Sequence, residues 1–501
     1  MKPATATSPQ AGGPEAGIPV RRSHPQEHAS PSAVLGLHHA VAIIVGVVVG
    51  AGIFKAPSLV AGMAGSTGWM FAAWALGGLV SLIGALCYAE LATTYPHAGG
   101  DYHFLHRAFG RRLSFLYAWA RFSVITTGSI ALLGFVFGDY MQQLLPLGRW
   151  GVSIYAAASI LLLGAINLRS VRAGANTQGW LTLLEVSGLL LIVLAGLYLF
   201  LGGTDAATGS AAAAAAGAPA GAGAEDTRPG WSAFGMAMVF VLLTFGGWNE
   251  AAYLSAELKD DPDVAGGPRR GRNMVRALVL SISIITVLYL LVNWAYWMGL
   301  GRAGMAASDA IAADLLHTAF GGHGATLIAV LVAVAALTSI NATMIVGART
   351  SYAVGRDWPA LSRLGRWDAK RGGPQTAMLL QCAAALLLVG LGTLGDDGFR
   401  AMVEFTAPVF WLFFLLTGVS LLVLRQRDPE RDRPYKVPLY PLLPLLFVAV
   451  CAAMLWSSLS YVTNQALGGF NAAWVGMAVL LAGALLTVLL SPRPEPARSA
   501  P

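Results

Sequence analysis

Charge is scarce in this chain: Asp, Glu, Lys and Arg make up 11% of its 501 residues, where soluble domains carry roughly 25%. A water-soluble globule could not cover the apolar remainder, 56% of the residues. Cysteine is scarcer still. Cys87, Cys382 and Cys451 all fall in apolar stretches, which excludes a disulfide framework. The histidines, His24, His28, His38, His39, His97, His103, His106, His317 and His323, lie in tails, connections or the ends of apolar stretches. They form no cluster with carboxylates, so no metal site and no intramembrane hydrolase is expected. No phosphate loop or dinucleotide fingerprint occurs in a strand-to-helix setting, so neither ATP nor another cofactor is expected. A net charge of +7 comes without any basic run interleaved with aromatics, which gives no reason to invoke nucleic acid. A signal peptide is missing as well. Residues 1–37 are rich in Pro, Ala, Ser and Gly and read as a disordered tail.

What the chain has in abundance is apolar stretches of membrane-spanning length. A hydrocarbon core of about 30 Å needs a helix of roughly 20 apolar residues. Such stretches occur at 38–62, 69–93, 113–138, 151–168, 178–201, 233–256, 276–299, 325–348, 377–394, 401–424, 438–457 and 473–490. The pattern predicts an all-α membrane protein of about twelve transmembrane helices. Membrane lipid is therefore its first partner. Most of the 32 basic residues fall in the tails and in the connections after spans 2, 4, 6, 8 and 10, among them Arg111, Arg112, Arg169, Arg269, Arg349, Arg356, Arg431 and Arg433. The opposite connections hold Arg149, Arg228, Arg302 and Arg400. By the positive-inside rule both termini, including the tail at 491–501, are cytoplasmic.

An Ala/Gly-rich stretch at 202–230 reads as a flexible extracytoplasmic connector and divides the core into two sets of five spans, 38–201 and 231–425, followed by two further spans within 426–490. Each set opens with a glycine-interrupted helix: Val48-Val49-Gly50-Ala51-Gly52-Ile53-Phe54 in span 1 and Thr244-Phe245-Gly246-Gly247-Trp248-Asn249 in span 6. Interrupted helices at matching places in two halves predict an inverted repeat with its binding site at the breaks. Unwound backbone at membrane depth is tolerated where it is buried or lines a cavity. An outer half-helix beginning near Ile53 would present N–H groups to a carboxylate, and carbonyls ending near Phe245 would face an ammonium. The duller alternative is that small residues simply let two helices pack closely.

At these residues the sequence resembles the amino acid-polyamine-organocation superfamily, and within it the L-type amino acid transporter branch and its bacterial relatives. Gly50-Ala51-Gly52-Ile53-Phe54 is similar to the family's Gly-Ser/Ala-Gly-Ile-Phe. Further similarity lies in Tyr88-Ala89-Glu90-Leu91 through Gly99-Gly100-Asp101-Tyr102, in Gly246-Gly247-Trp248-Asn249, in Ala256-Glu257-Leu258-Lys259-Asp260, in Ser339-Ile340-Asn341 to Arg349, and in Arg433-Pro434-Tyr435-Lys436-Val437-Pro438. The resemblance implies a secondary active transporter of amino acids working by alternating access, as exchanger or proton-coupled symporter, in the bacterial cytoplasmic membrane. It implies that Gly50, Ala51, Gly52 and Ile53 seat the carboxylate, and that Val48, Leu243, Thr244, Phe245, Gly246 and Asn249 complete the substrate site. Three departures stand out. Leu243 takes the place of an aromatic that closes over the substrate in many members. The connection after span 3 lacks the cysteine that ties animal members to a heavy subunit, so none is expected here. Glu185 stands where relatives often carry a lysine.

Charged and amide groups inside spans cost about 2.5–3.5 kcal/mol at mid-membrane and invite a functional reading. Glu90 and Glu257, near cytoplasmic helix ends, read as loop anchors or gates; Lys55 as a snorkelling side chain or an anion attractor. Glu250 shapes substrate choice or holds the unwound turn, and Asn249 and Asn341 are interhelical glue or ligands. Glu185 is a candidate proton switch, with an ion pair to Arg121 as its rival. A polyamine or organic amine carrier of the same fold remains an alternative, as does, from another class, an amino acid sensor. A channel would need a polar lining or carbonyl filter that the sequence does not offer.

Overall fold

The computed structural model describes residues 37–97, 99–169, 178–202, 228–251, 270–368, 373–395, 397–464 and 472–489. Both tails, most of the Ala/Gly-rich connector and the Glu257 segment lie outside the described residues, as does the Glu250 side chain.

Among the described residues ten helices are long and apolar enough to cross a membrane: Thr67–Thr94 (span 2), Arg111–Leu144 (span 3), Gly151–Arg169 (span 4), Leu184–Leu201 (in span 5, Gln178–Leu201), Asn273–Ala307 (in span 7, Arg270–Ala307), Ile311–Asp357 (span 8), Gln375–Gly392 (span 9), Gly398–Arg427 (span 10), Leu442–Ser460 (in span 11, Leu442–Asn464) and Ala472–Leu489 (span 12). Spans 1 and 6 fall short of that length because both are broken, as their glycines predicted. Span 1 consists of Leu37–Val48, a 3-10 turn at Ala51–Phe54, and Ala56–Met63; span 6 consists of Trp231–Thr244 and a restart at Trp248–Ala251. Among the described residues the fold is thus the expected all-α membrane protein with twelve spans.

Several helices outrun their apolar stretches. Span 8 was expected at 325–348 and runs over Ile311–Asp357, bent at Gly321 with φ +70°; Arg349 and Arg356 therefore lie on its helical extension rather than in a connection. Hydropathy locates the part of a helix that meets lipid, while hydrogen bonding carries the helix on into polar surroundings. Starts are set by caps: the Ser66 side chain accepts from the Trp69 N–H at span 2, and the Asp397 side chain from the Arg400 N–H at span 10.

Each end of the bundle is tied by charge. At one end Glu90 receives both Nε and Nη2 of Arg425 at 2.6 Å, and the Val437 N–H at 2.7 Å. This is the loop-anchoring role among the two readings of Glu90, and it fastens the Arg433–Pro438 segment beneath span 2. At the opposite end the expectation for Lys55 fails. It is 3% exposed rather than snorkelling, and its Nζ lies 2.9 Å from Asp139, 3.7 Å from Asp309 and 3.9 Å from Asp397. A lysine stem reaches for water only when no carboxylate is nearer, and here three elements each present one.

Candidate functional site at the helix breaks

The two breaks meet inside the bundle. Gly50 is extended (φ −121°, ψ 178°) before the 3-10 turn of span 1. Across from it, Gly247 has φ +106°, and a Cβ there would stand 2.9 Å from the Val47 carbonyl oxygen of span 1. Glycine is required at this position by backbone conformation and by close approach. A Cβ on Gly52 would meet the Thr244 side chain at 3.6 Å, so span 1 and span 6 are in contact on both sides of the breaks.

Tyr289 of span 7 links the two ends. Its hydroxyl lies 3.2 Å from the Val48 carbonyl and 3.2 Å from the Thr244 carbonyl. A hydroxyl donates one hydrogen at a time, so one of the two helix-end carbonyls always retains acceptor capacity. That suits a ligand ammonium.

A cavity of about 300 Å³ lies against the breaks, at the lower end of the range for small-molecule sites. Of the residues anticipated for the site, Val48, Gly50, Ala51, Gly52, Leu243, Thr244, Gly246 and Asn249 line it. Ile53 and Phe245 do not. Ile53 is fully buried, and Phe245 turns away to pack edge-on against Tyr289, ring centroids 4.9 Å apart. The second half of span 1 also resumes as α-helix only at Ala56, one 3-10 turn later than the seat expected near Ile53. Asn341 faces another helix, accepting from Asn167 Nδ2 at 2.7 Å, which is the interhelical reading of the two. Glu185 is buried off the cavity wall with Oε1 lacking a hydrogen-bond partner. Among the described residues no ion pair joins it to Arg121, whose Nη1 donates to Tyr117 instead.

Sequence reasoning missed the far wall. Span 3 departs from α geometry into a π-turn at Arg121–Thr126, and Arg121, Ile125 and Thr126 line the cavity from it. Such bulges concentrate at functional sites, and a lone arginine in an apolar span was the available signal. Span 10 contributes Phe399, Val403, Thr406 and Phe410. Toward the Lys55 end, Phe240 of span 6 stacks on Phe399, centroids 6.3 Å apart and planes 17° from parallel. An aromatic roof thus exists although Leu243 is aliphatic, because Phe240 sits one turn nearer that end on the same helix.

Known transporters resemble the chain over most of its length. The chain is 29% identical over 456 residues to the human large neutral amino acids transporter small subunit 2, covering 90% of this chain and 79% of that protein. The rabbit protein of that name is 30% identical over 84% of this chain and 76% of its own length. The mouse b(0,+)-type amino acid transporter 1 is 28% identical over 83% of this chain and 80% of its own length. Since the amino acid permease family matches residues 35–491, almost the entire helical bundle with both breaks and the cavity between them, the chain belongs to that family and is an amino acid transporter rather than an enzyme.

Proposed function

We propose that the cavity at the two breaks is the substrate site of a secondary active transporter that carries amino acids by alternating access, as an exchanger or a proton-coupled symporter. The observation that carries this reading is that the Gly50–Gly52 turn of span 1 and Leu243, Thr244 and Gly246 of span 6 line one cavity, the two helix ends being tied behind it by the Tyr289 hydroxyl. The 3-10 turn offers its first N–H groups to a carboxylate, and the helix-end carbonyls face an ammonium. Spans 1–5 and 6–10 act as inverted repeats. The broken first helix of each half and the packing of span 3 on span 8, equivalent members of the two halves, support this division. Basic side chains gathered at the Glu90 end, among them Arg107, Arg425 and Arg433, support a cytoplasmic position for that end and for both termini, in a bacterial inner membrane. Cys87, Cys382 and Cys451 are all buried, which supports a transporter that works without a disulfide-linked heavy subunit.

The test is uptake of a ¹⁴C-labelled mixture of L-amino acids into proteoliposomes holding the purified full chain, beside a thermal-shift screen of single amino acids and amines. Saturable uptake with stabilisation by zwitterions supports the reading. Stabilisation by polyamines alone, without amino acid uptake, would replace it with the amine alternative.

A further inference from the structure

Among the described side chains that line the cavity, two are charged, Asp101 and Arg121, and their charges are opposite. Both stand at the end of the cavity away from Lys55. Asp101 opens the short helix Asp101–Phe109 between spans 2 and 3, and Arg121 begins the π-turn of span 3. The Tyr117 hydroxyl stands between them: it accepts from Arg121 Nη1 at 3.0 Å and donates to Asp101 Oδ2 at 3.1 Å. Thr417 of span 10 reaches Asp101 Oδ1 at 3.5 Å. Asp101 is 3% and Tyr117 5% exposed.

We propose that Asp101 and Arg121 form a second substrate station, on the path between the helix breaks and the cytoplasm, that receives the amino acid zwitterion by its charges. This rests on the transport reading above. The Arg121 guanidinium takes the carboxylate, for which its planar fork is suited, and Asp101 takes the ammonium. A station with one positive and one negative group matches a zwitterion and leaves one group unpaired with a simple cation or anion. Elsewhere the described cavity wall offers neutral hydroxyls such as Ser129, Ser339 and Thr343, so among the described residues Asp101 and Arg121 are the charged partners for a zwitterion.

The contrast with Glu90 sharpens the assignment. That carboxylate is locked by a bidentate arginine and a backbone N–H, away from the cavity at the breaks, in an arrangement that holds a loop and nothing else. Asp101 and Arg121 face an open volume, in a protein where every charge kept at membrane depth is expensive. Arg121, Ile125 and Thr126, all within the π-turn of span 3, line the cavity together.

The test is uptake of the ¹⁴C-labelled L-amino acid mixture by proteoliposomes holding wild type, Arg121→Gln, Asp101→Asn, the double variant, Arg121→Lys and Asp101→Glu, each verified for folding by thermal unfolding. The station predicts that each neutral variant raises the half-saturating concentration about tenfold or more, from loss of a hydrogen bond to a charged group. It also predicts that the double variant is at least as impaired as either single one, and that the charge-conserving variants recover part of the loss. If the two residues only hold each other, the double variant transports like wild type while the single variants do not, and the station is overturned. Unchanged saturation in every variant overturns it as well. Wild-type vesicles that accumulate none of the mixture reject the transport reading itself, an outcome distinct from either.

Discussion

The Lys55 ammonium lies 2.9 Å from the Asp139 carboxylate, joining the second half of span 1 to the C-terminal part of span 3. Nearby, the Tyr140 hydroxyl donates to the Phe54 carbonyl at 2.7 Å and accepts from the Ala312 N–H at 3.3 Å, so the same corner also fixes the start of span 8. Replacing Lys55 by Met strands a buried carboxylate, a change that costs about 3–5 kcal/mol in other buried pairs. The expected result is a marked drop in the apparent melting temperature of the detergent-solubilised protein, largely recovered in Lys55→Met/Asp139→Asn. A single variant as stable as wild type would show that the pair contributes nothing net.

Gly247 should tolerate no side chain. Alanine there is strained at φ +106° and collides with the Val47 carbonyl. Gly52 is different in kind: an alanine Cβ would make an ordinary contact with Thr244 at 3.6 Å, whereas valine adds γ-carbons that press into it. Transport assays are therefore expected to rank Gly52→Ala above Gly52→Val, with Gly247→Ala inactive. Equal activity of Gly52→Ala and Gly52→Val would remove close approach at Gly52 from the account.

If Glu185 exchanges a proton during the cycle, glutamine reproduces its protonated form. Glu185→Gln should then transport at every pH with the rate that wild type reaches at its acidic limit, so the profile goes flat. A Glu185→Gln profile that keeps the wild-type pH dependence would dismiss the proton switch. Arg121→Gln should not rescue any defect, because no ion pair joins the two residues among those described.

Outside the spans, burial, then the neighbouring His97 and Arg107, push the His103 imidazole down from 6.5 to about 4. The unfolded chain takes up that proton near pH 6.5, while the folded chain resists until about pH 4. Acidification through this window therefore favours unfolding, and the contribution is absent above it. Melting temperature measured against pH should fall less steeply for His103→Gln than for wild type across the window. Superimposable curves would show that His103 is solvated.

Orientation has its own check. A cysteine placed at Arg366, in the connection after span 8, is expected to react in intact cells with a membrane-permeant maleimide and to resist an impermeant one. A cysteine at Arg149 should react with both. The reverse pattern would invert the topology.

Much of the architecture was legible because it depends on local properties. Spans 2–5 and 7–12 are visible as apolar runs long enough to cross a bilayer, and the breaks of spans 1 and 6 as glycines that accept backbone geometries other residues resist. The breaks located the site, and the family resemblance named Gly50, Ala51, Gly52 and Gly246, which line the cavity. Phe245, and Asn341 in its ligand reading, miss the cavity for one shared reason. Proximity in sequence to a motif says nothing about which side of the helix a residue occupies, and apolar helices in a membrane carry no polar face to mark the inside.

The sequence by itself determined the solvent of this protein, its twelve spans, its two breaks and its permease family, since each is written in composition, run length or contiguous motifs. Tertiary structure alone decided that Lys55 is buried among three aspartates and that Phe240 and Phe399 roof the cavity. It also decided that Arg121 shares the Tyr117 hydroxyl with Asp101. These are relations between side chains on different helices or on both sides of a bend, some separated by more than half the chain. Their partners are chosen by how helices rotate and bend against one another as they pack, a property no single segment carries.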